Sequence, residues 1–282
     1  MSSRLRQIAA ENERIAAEGH YVVPGTGTVS IRHALDAARA GTRSYAPDQL
    51  DALLATVTGT PAGAATGTVE VTGEDSLRAA RRLDASGARN IAVLNFASAR
   101  NPGGGYVNGA KAQEEDVCRG ALLHPCLLRA PDYYEAHRAV RDPFYSHRVI
   151  HSPRVPVHRA ADGTLLAQPP LVSFLTWPAP NAGVIARQLP ERVHEVPDVL
   201  RQRAARVLAV AAHHGARQLV LGAWGCGVFR NDPRQVAAAF AEHLGPGSGG
   251  AFEGRFEHVV FAVLDRSAGQ PTLAAFQRAF AA

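Results

Sequence analysis

The sequence predicts an α/β domain with a largely parallel central sheet and helices on both faces. Three observations lead there. Short apolar runs of strand character alternate with helix-period segments from about residue 68 to the C-terminus. Two of those strands open directly into glycine-rich loops, where open α/β sheets hold their ligands. The 282 residues, 46% hydrophobic and 20% charged, suffice for one sizeable core with a smaller appendage.

The elements follow in order. Leu5, Ile8, Ala9, Ile15 and Ala16 recur near helical spacing among Arg and Glu, which predicts an amphipathic helix packed as an N-terminal arm. The small, uncharged stretch from Gly59 to Gly67 marks the end of that arm. This divides the chain into an N-terminal helical extension, residues 1–66, and a main domain, residues 67–282. In the main domain Thr68 to Val71 reads as a strand, Asp75 to Leu83 as a helix and Ile91 to Phe96 as a buried strand. One helix is expected from about Glu115 to Leu128, then strands near Arg148 to Ile150 and Leu171 to Leu175. Val199 to His213 is helical, Gln218 to Gly222 a short strand, and Pro233 opens a helix that runs to His243. His258 to Leu264 reads as a strand, Thr272 to Phe280 as a closing helix, and Gly245 to Gly250 as a flexible loop.

Composition removes several classes of function. No run of about 18 apolar residues occurs, and the start leads into charge instead of an apolar signal core, so a soluble, cytoplasmic protein is expected. Cys118, Cys126 and Cys226 form no CxxC pair, which argues against a disulfide framework and a cysteine zinc site. The formal net charge is +5, carried almost wholly by arginine with Lys111 the sole lysine. Arginine suits bidentate phosphate contacts, yet a coding bias toward arginine, alanine and glycine explains the same excess, so charge alone decides nothing.

The chemistry concentrates in two loops. The first runs from Leu94 through Asn95, Asn101 and Gly103-Gly104-Gly105 to Gln113-Glu114-Glu115. Three glycines in succession let a ligand approach the backbone, and the glutamates bring proton-transfer groups to the same segment. An isolated Glu-Glu pair at a helix start serves the helix dipole equally well. The glycine run upstream is what turns the reading toward a site. The second loop, Leu221 to Pro233, has the layout of an anion-cradling turn before a helix. Neither loop has the GxxxxGK[ST] or GxGxxG spacing of common nucleotide folds. Together they suggest a ligand with a diphosphate and attached sugars.

Three segments carry a family resemblance. The GGG and QEE of Gly103-Gly104-Gly105 and Gln113-Glu114-Glu115, the stretch NFASARNPGGG and the loop GAWGCGVFRN resemble the signature of the microbial type of poly(ADP-ribose) glycohydrolases. The resemblance implies a macrodomain-like three-layer α/β/α sandwich with a mixed, largely parallel sheet, and hydrolysis at a ribose glycosidic bond that releases ADP-ribose from poly(ADP-ribose) or from a mono-ADP-ribosylated target. It implies Glu115 as catalytic acid and Glu114 as the partner of ribose hydroxyls. Gly103, Gly104 and Gly105 would hold the distal ribose and diphosphate, with Asn95, Asn101 and Gln113 in the same site. Gly225, Cys226, Gly227 and Val228 would supply diphosphate amides, and Phe229 would pack on the terminal ribose. Adenine recognition falls to Glu74 or Asp75, although Asp75 or Ser76 equally caps a helix. No cofactor or metal is implied. The partners are ADP-ribose conjugates, with no membrane, and the chain is expected to be a monomer.

Cleavage of a ribose acetal passes through an oxocarbenium-like state, so a leaving oxygen needs a proton and a water needs a base. One carboxyl can do both in turn, and a like-charged neighbour favours a proton held within the pair. Removal of ADP-ribose from nucleic-acid bases is an alternative that the arginine-rich composition keeps open. A non-catalytic ADP-ribose reader is a second, though binding alone needs no acid at the glycosidic bond. His147, His151, His158 and His213-His214 lack acidic or cysteine partners at ligand spacing and are expected to be solvent-exposed. Cys226 has no thiol-activating partner nearby, Trp177 and Trp224 are expected to pack, and Tyr133-Tyr134 has no assigned role.

Overall fold

The computed structural model describes residues 2–60, 67–245 and 249–281, so most of the small-residue stretch after Gly59 and the middle of the Gly245–Gly250 loop lie outside the described residues. The chain opens with α1 (Ser3–Glu18), which stops at Gly19 in a left-handed conformation (φ +71°) that glycine adopts without a Cβ penalty. Then come a hairpin of β1 (His20–Val23) and β2 (Gly27–Ser30), α2 (Arg32–Gly41), β3 (Arg43–Tyr45) and α3 (Pro47–Thr58). The amphipathic helix read near the N-terminus is α1, and β3 joins the main sheet beside β6. The hairpin and β3 were not expected, because three residues, Arg-Ser-Tyr, are too few and too polar to carry a strand period. Tertiary pairing makes β3 a strand.

The main body continues with β4 (Thr68–Thr72), α4 (Ser76–Ala85), β5 (Ile91–Phe96), α5 (Gln113–Gly120), α6 (His124–Leu127) and α7 (Pro131–Ala139). After these come β6 (Val149–Pro156), β7 (Leu171–Trp177), α8 (Ala182–Gln188), α9 (Val196–His213), β8 (Gln218–Gly222), α10 (Pro233–Leu244), β9 (His258–Ala262) and α11 (Pro271–Ala279). The single helix expected over 115–128 is two. The Ala121 amide still bonds Val117 O, but Leu122 N turns to Pro156 O, which ends α5, and Pro125 sits in the first turn of α6.

The main sheet has the order β3-β6-β7-β5-β8-β9-β4. β7, β5, β8, β9 and β4 run parallel, while β6 is antiparallel to both β7 and β3. Alternate residues of β5 feed two cores: Ala92 and Leu94 join α3, α9 and α10 on one face, and Ile91 and Val93 join α1, α4 and α5 on the other. A strand buried on both faces reads as one apolar run, which is why Ile91 to Phe96 was legible. The fold is the three-layer α/β/α sandwich that the resemblance implied.

This topology sets the site. The chain leaves β5 to build β6 and β7 on one side, then returns to build β8 on the other, so the strand order reverses at β5. A crevice forms beyond the carboxyl ends of strands at such a point. Both glycine loops start there.

Candidate active site

The first loop is fastened at each end. Gln113 spends its side chain inside the protein: Oε1 accepts from the Phe96 amide (2.8 Å), and Nε2 donates to Leu94 O (2.9 Å) and Ser76 Oγ (3.1 Å). It pins the start of α5 to the end of β5 and to α4. Helix α5 then presents Glu114 and Glu115 from its first turn, where acidic groups also complement the helix dipole. From behind, α1 braces α5: Asn12 Nδ2 donates to Arg119 O (2.9 Å), and its Oδ1 meets His158 Nε2 (2.8 Å).

The two carboxylates are held by the glycine loop. Glu114 Oε2 accepts from the Ser98 amide at 2.6 Å and Oε1 from Asn95 Nδ2 at 3.2 Å. Glu115 Oε1 accepts from the Gly105 amide at 2.8 Å, while its Oε2 is buried without a partner. Gly103 and Gly104 have φ of +67° and +59°, and a Cβ on Gly104 would stand 2.5 Å from Glu115 Oε1 and 3.1 Å from Glu114 Oε2. Only glycine fits between backbone and carboxylates there. Burial pushes the Glu114 carboxyl up to about 8, with a smaller upward push from Glu115, against the downward pull of the Ser98 and Gly103 amides and Asn95. Glu114 therefore carries its proton near neutral pH and has an O–H to donate.

The second loop leaves β8 beside this pair. Gly225 has φ +71°, and the loop is tied down by buried Asn231, whose Nδ2 donates to Pro180 O (2.8 Å) and Gly225 O (3.2 Å). Trp224 is buried and donates to Trp177 O (3.0 Å), so both tryptophans pack instead of facing the crevice. The amides of Gly225, Gly227, Val228 and Phe229 have no partner among the described residues, whereas the Cys226 amide is turned onto Ala223 O. Val228 is 77% exposed, and a Cβ on Gly227 would meet nothing. Free amides before a helix start fit an anion.

Some residues expected at the ligand face are elsewhere. Asn95 is fully buried behind Glu114, bonded also to Thr176 Oγ1 (3.2 Å), so it positions a carboxylate. Gln113 is likewise internal. The amides of Gly104 and Gly105 are committed to Asn101 O and Glu115, so the glycine run cradles the carboxylates before it meets any diphosphate. Asp75 caps α4 through the Arg78 amide (2.8 Å), and Glu74 pairs with Arg82 (2.8 Å) at the β4 edge. The next residue, Ser76, accepts from Gln113 Nε2 (3.1 Å), so the start of α4 lies beside the carboxyl end of β5. His151 and His158 are buried, against the expectation of exposure. No group of three His, Cys, Asp or Glu among the described residues is placed to hold a metal ion.

Two residues beside Phe229, Tyr145 and Arg203, had no sequence signal. Phe229 stands 5.9 Å from the Tyr145 ring, and Tyr145 holds φ +58°. Buried Arg203 on α9 fixes that turn by donating to Phe144 O, to Tyr145 O (3.1 Å) and to Pro178 O (3.0 Å). Burial brings its guanidinium down to about 9. Only the fold brings 145, 203 and 229 together.

Comparison with known proteins places this geometry. Residues 9–160 match the family model for the microbial-type PARG, catalytic domain. Among solved structures, a poly(ADP-ribose) glycohydrolase from Thermomonospora curvata is 49% identical with a TM-score of 0.94, covering 99% of this chain and 100% of its own. The same enzyme bound to the inhibitor ADP-HPD is 48% identical with a TM-score of 0.91 over the same shares. A poly(ADP-ribose) glycohydrolase from Deinococcus radiodurans in complex with ADP-ribose is 46% identical with a TM-score of 0.82, covering 92% of this chain and 98% of that one. No curated protein matches the chain.

Proposed function

Because the chain belongs to the microbial-type poly(ADP-ribose) glycohydrolase family, we propose that it binds ADP-ribose at the β5–β8 crevice and hydrolyses the ribose glycosidic bond of poly(ADP-ribose), releasing ADP-ribose. The observation that carries this reading is the convergence of Glu114 and Glu115 on Gly104 at the mouth of a strand-end crevice. A pure binding site has no need of two buried carboxyls there.

In this mechanism the Glu115 carboxyl gives its proton to the departing oxygen as the C–O bond breaks. The oxocarbenium ion left on the ribose is then captured by water, whose proton returns to the Glu115 carboxylate. The Gly105 amide fixes one oxygen of Glu115, and the unpartnered Oε2 is the one available to substrate. Glu114, protonated and clamped by Ser98 and Asn95, holds a ribose hydroxyl and so orients the sugar. The free amides of Gly225, Gly227 and Val228 take the diphosphate, and Phe229 with Tyr145 walls the ribose.

Three unpaired cysteines suit a reducing compartment, so we place the enzyme in the cytoplasm. No helix among the described residues is long and apolar enough to cross a membrane. The test is to incubate the protein with poly(ADP-ribose), mono-ADP-ribosylated protein and base-ADP-ribosylated DNA and to assay free ADP-ribose. Release from the polymer is expected. Release from DNA alone, or from none of the three, contradicts the proposal.

A further inference from the structure

At the amino ends of β5 and β7, opposite the carboxylates, lies a groove that the chemistry above does not use. A cavity of about 270 Å³ there adjoins a second of about 170 Å³, the two sharing Asn90, Ile91, Arg154 and Leu171 in their walls. Asn90 and Arg154 both hold left-handed backbone, φ +56° and +48°. Arg154 stands where the β6–β7 register shifts, and its amide bonds Ser173 Oγ (3.2 Å). Non-glycine residues persist in this conformation only when their surroundings enforce it, and such positions cluster at binding sites.

The charge of the groove is positive. Arg89 and Arg154 line the outer cavity, and neither guanidinium has a carboxylate partner among the described residues; Asp84 is the one carboxylate in its wall. The inner cavity is lined by His151, 4% exposed, whose ring stacks on His214 with centroids 3.6 Å apart. His214 Nε2 is held by the Tyr45 hydroxyl at 2.9 Å, whereas His151 Nδ1 is buried with no partner. A buried ring nitrogen without a partner calls for an explanation. Burial, with His214 and His213 beside it, brings His151 down to about 3, and as a neutral imidazole it has one N–H to donate.

We propose that this groove is a second ligand site for a diphosphate-bearing anion, with Arg89 and Arg154 as its clamp and His151 as the donor at its inner end. Two adjoining cavities and two separate guanidiniums suit two joined phosphates better than one. The site stands independently of the glycohydrolase reading, since it shares no residue with the crevice.

The test follows the imidazole resonances of His151 and His214 in the full-length protein during titration with inorganic pyrophosphate and, separately, with ADP-ribose. A saturable shift at His151 is expected. A response to pyrophosphate shows that the anion alone suffices, and a response to ADP-ribose alone assigns the site to a nucleoside diphosphate. Arg154→Gly removes the guanidinium while relieving the positive φ, so the fold is kept. It should weaken the titration by about tenfold or more, the scale of one charge-assisted hydrogen bond, with turnover unchanged. Arg89→Gln should act in the same direction. No saturable shift with either ligand, or one indifferent to both substitutions, overturns the proposal.

Discussion

Gly104 and Glu115 meet so closely that a single methyl group on the glycine would lie 2.5 Å from the glutamate's Oε1. Gly104→Ala therefore strikes the site twice, by displacing the carboxylate and by placing a Cβ at φ +59°. Its cost to stability should be about 1–2 kcal/mol from the backbone. Its cost to turnover should be larger, roughly 10²-fold, because a misplaced acid fails at ångström scale. Thermal unfolding and turnover on the same preparation separate the two effects.

Glu114 sets a pH dependence. Its carboxyl rises from an ordinary 4.5 to about 8 because it is buried. Between those values the folded protein holds a proton that the unfolded chain has released, so its contribution to stability falls as pH rises and levels off above about pH 8. Glu114→Gln removes that slope, and its unfolding midpoint relative to wild type should climb steadily across the same window. If Glu114 works protonated, kcat/KM of the wild type also declines through about pH 8, and this alkaline limb should be absent in Glu114→Gln.

Asn95 acts through Glu114. Removing its amide in Asn95→Ala takes away the Oε1 donor and leaves a cavity beside Thr176. The expected result is a fall in kcat of about tenfold with KM little changed, and a stability loss of about 1–3 kcal/mol for the group left unpaired. Thr176→Val should shift kcat the same way by less.

The second loop should govern binding. A Cβ on Gly225 would stand 2.4 Å from Asn231 Nδ2 and 2.6 Å from Ala179 Cβ, so Gly225→Ala must move the loop. Calorimetry should find ADP-ribose affinity reduced by about tenfold or more, the loss of one or two anion contacts. Cys226 in the same loop should be inert: burial pushes its thiol up to about 12, so iodoacetamide modifies it slowly at neutral pH. Cys226→Ser should keep turnover within a few-fold.

The sequence revealed what has a local signature. Ile91 to Phe96 announced itself as a strand because both faces are buried, and Gly103 to Glu115 announced a site because glycine and glutamate types crowd one segment. What it concealed depends on distant partners. Gln113 sits in the motif and looks like a ligand contact, yet its amide is used up on Phe96, Leu94 and Ser76, an arrangement that exists only once β5 and α5 are side by side. Asn95 similarly faces a carboxylate instead of a ligand. β3 is a strand only because β6 offers it an edge, and the Tyr145–Arg203–Phe229 wall joins three separate parts of the chain. The raised proton affinity of Glu114 comes from burial, which no spacing displays.

In the proposed mechanism Glu115 moves the proton at the glycosidic oxygen. Turnover of poly(ADP-ribose) by Glu115→Gln, a substitution that keeps the size and the Gly105 contact, tests it most directly. Turnover should fall by about 10²- to 10⁴-fold, the scale of a general acid–base group, with ADP-ribose affinity kept within a few-fold. Turnover near that of the wild type would contradict it.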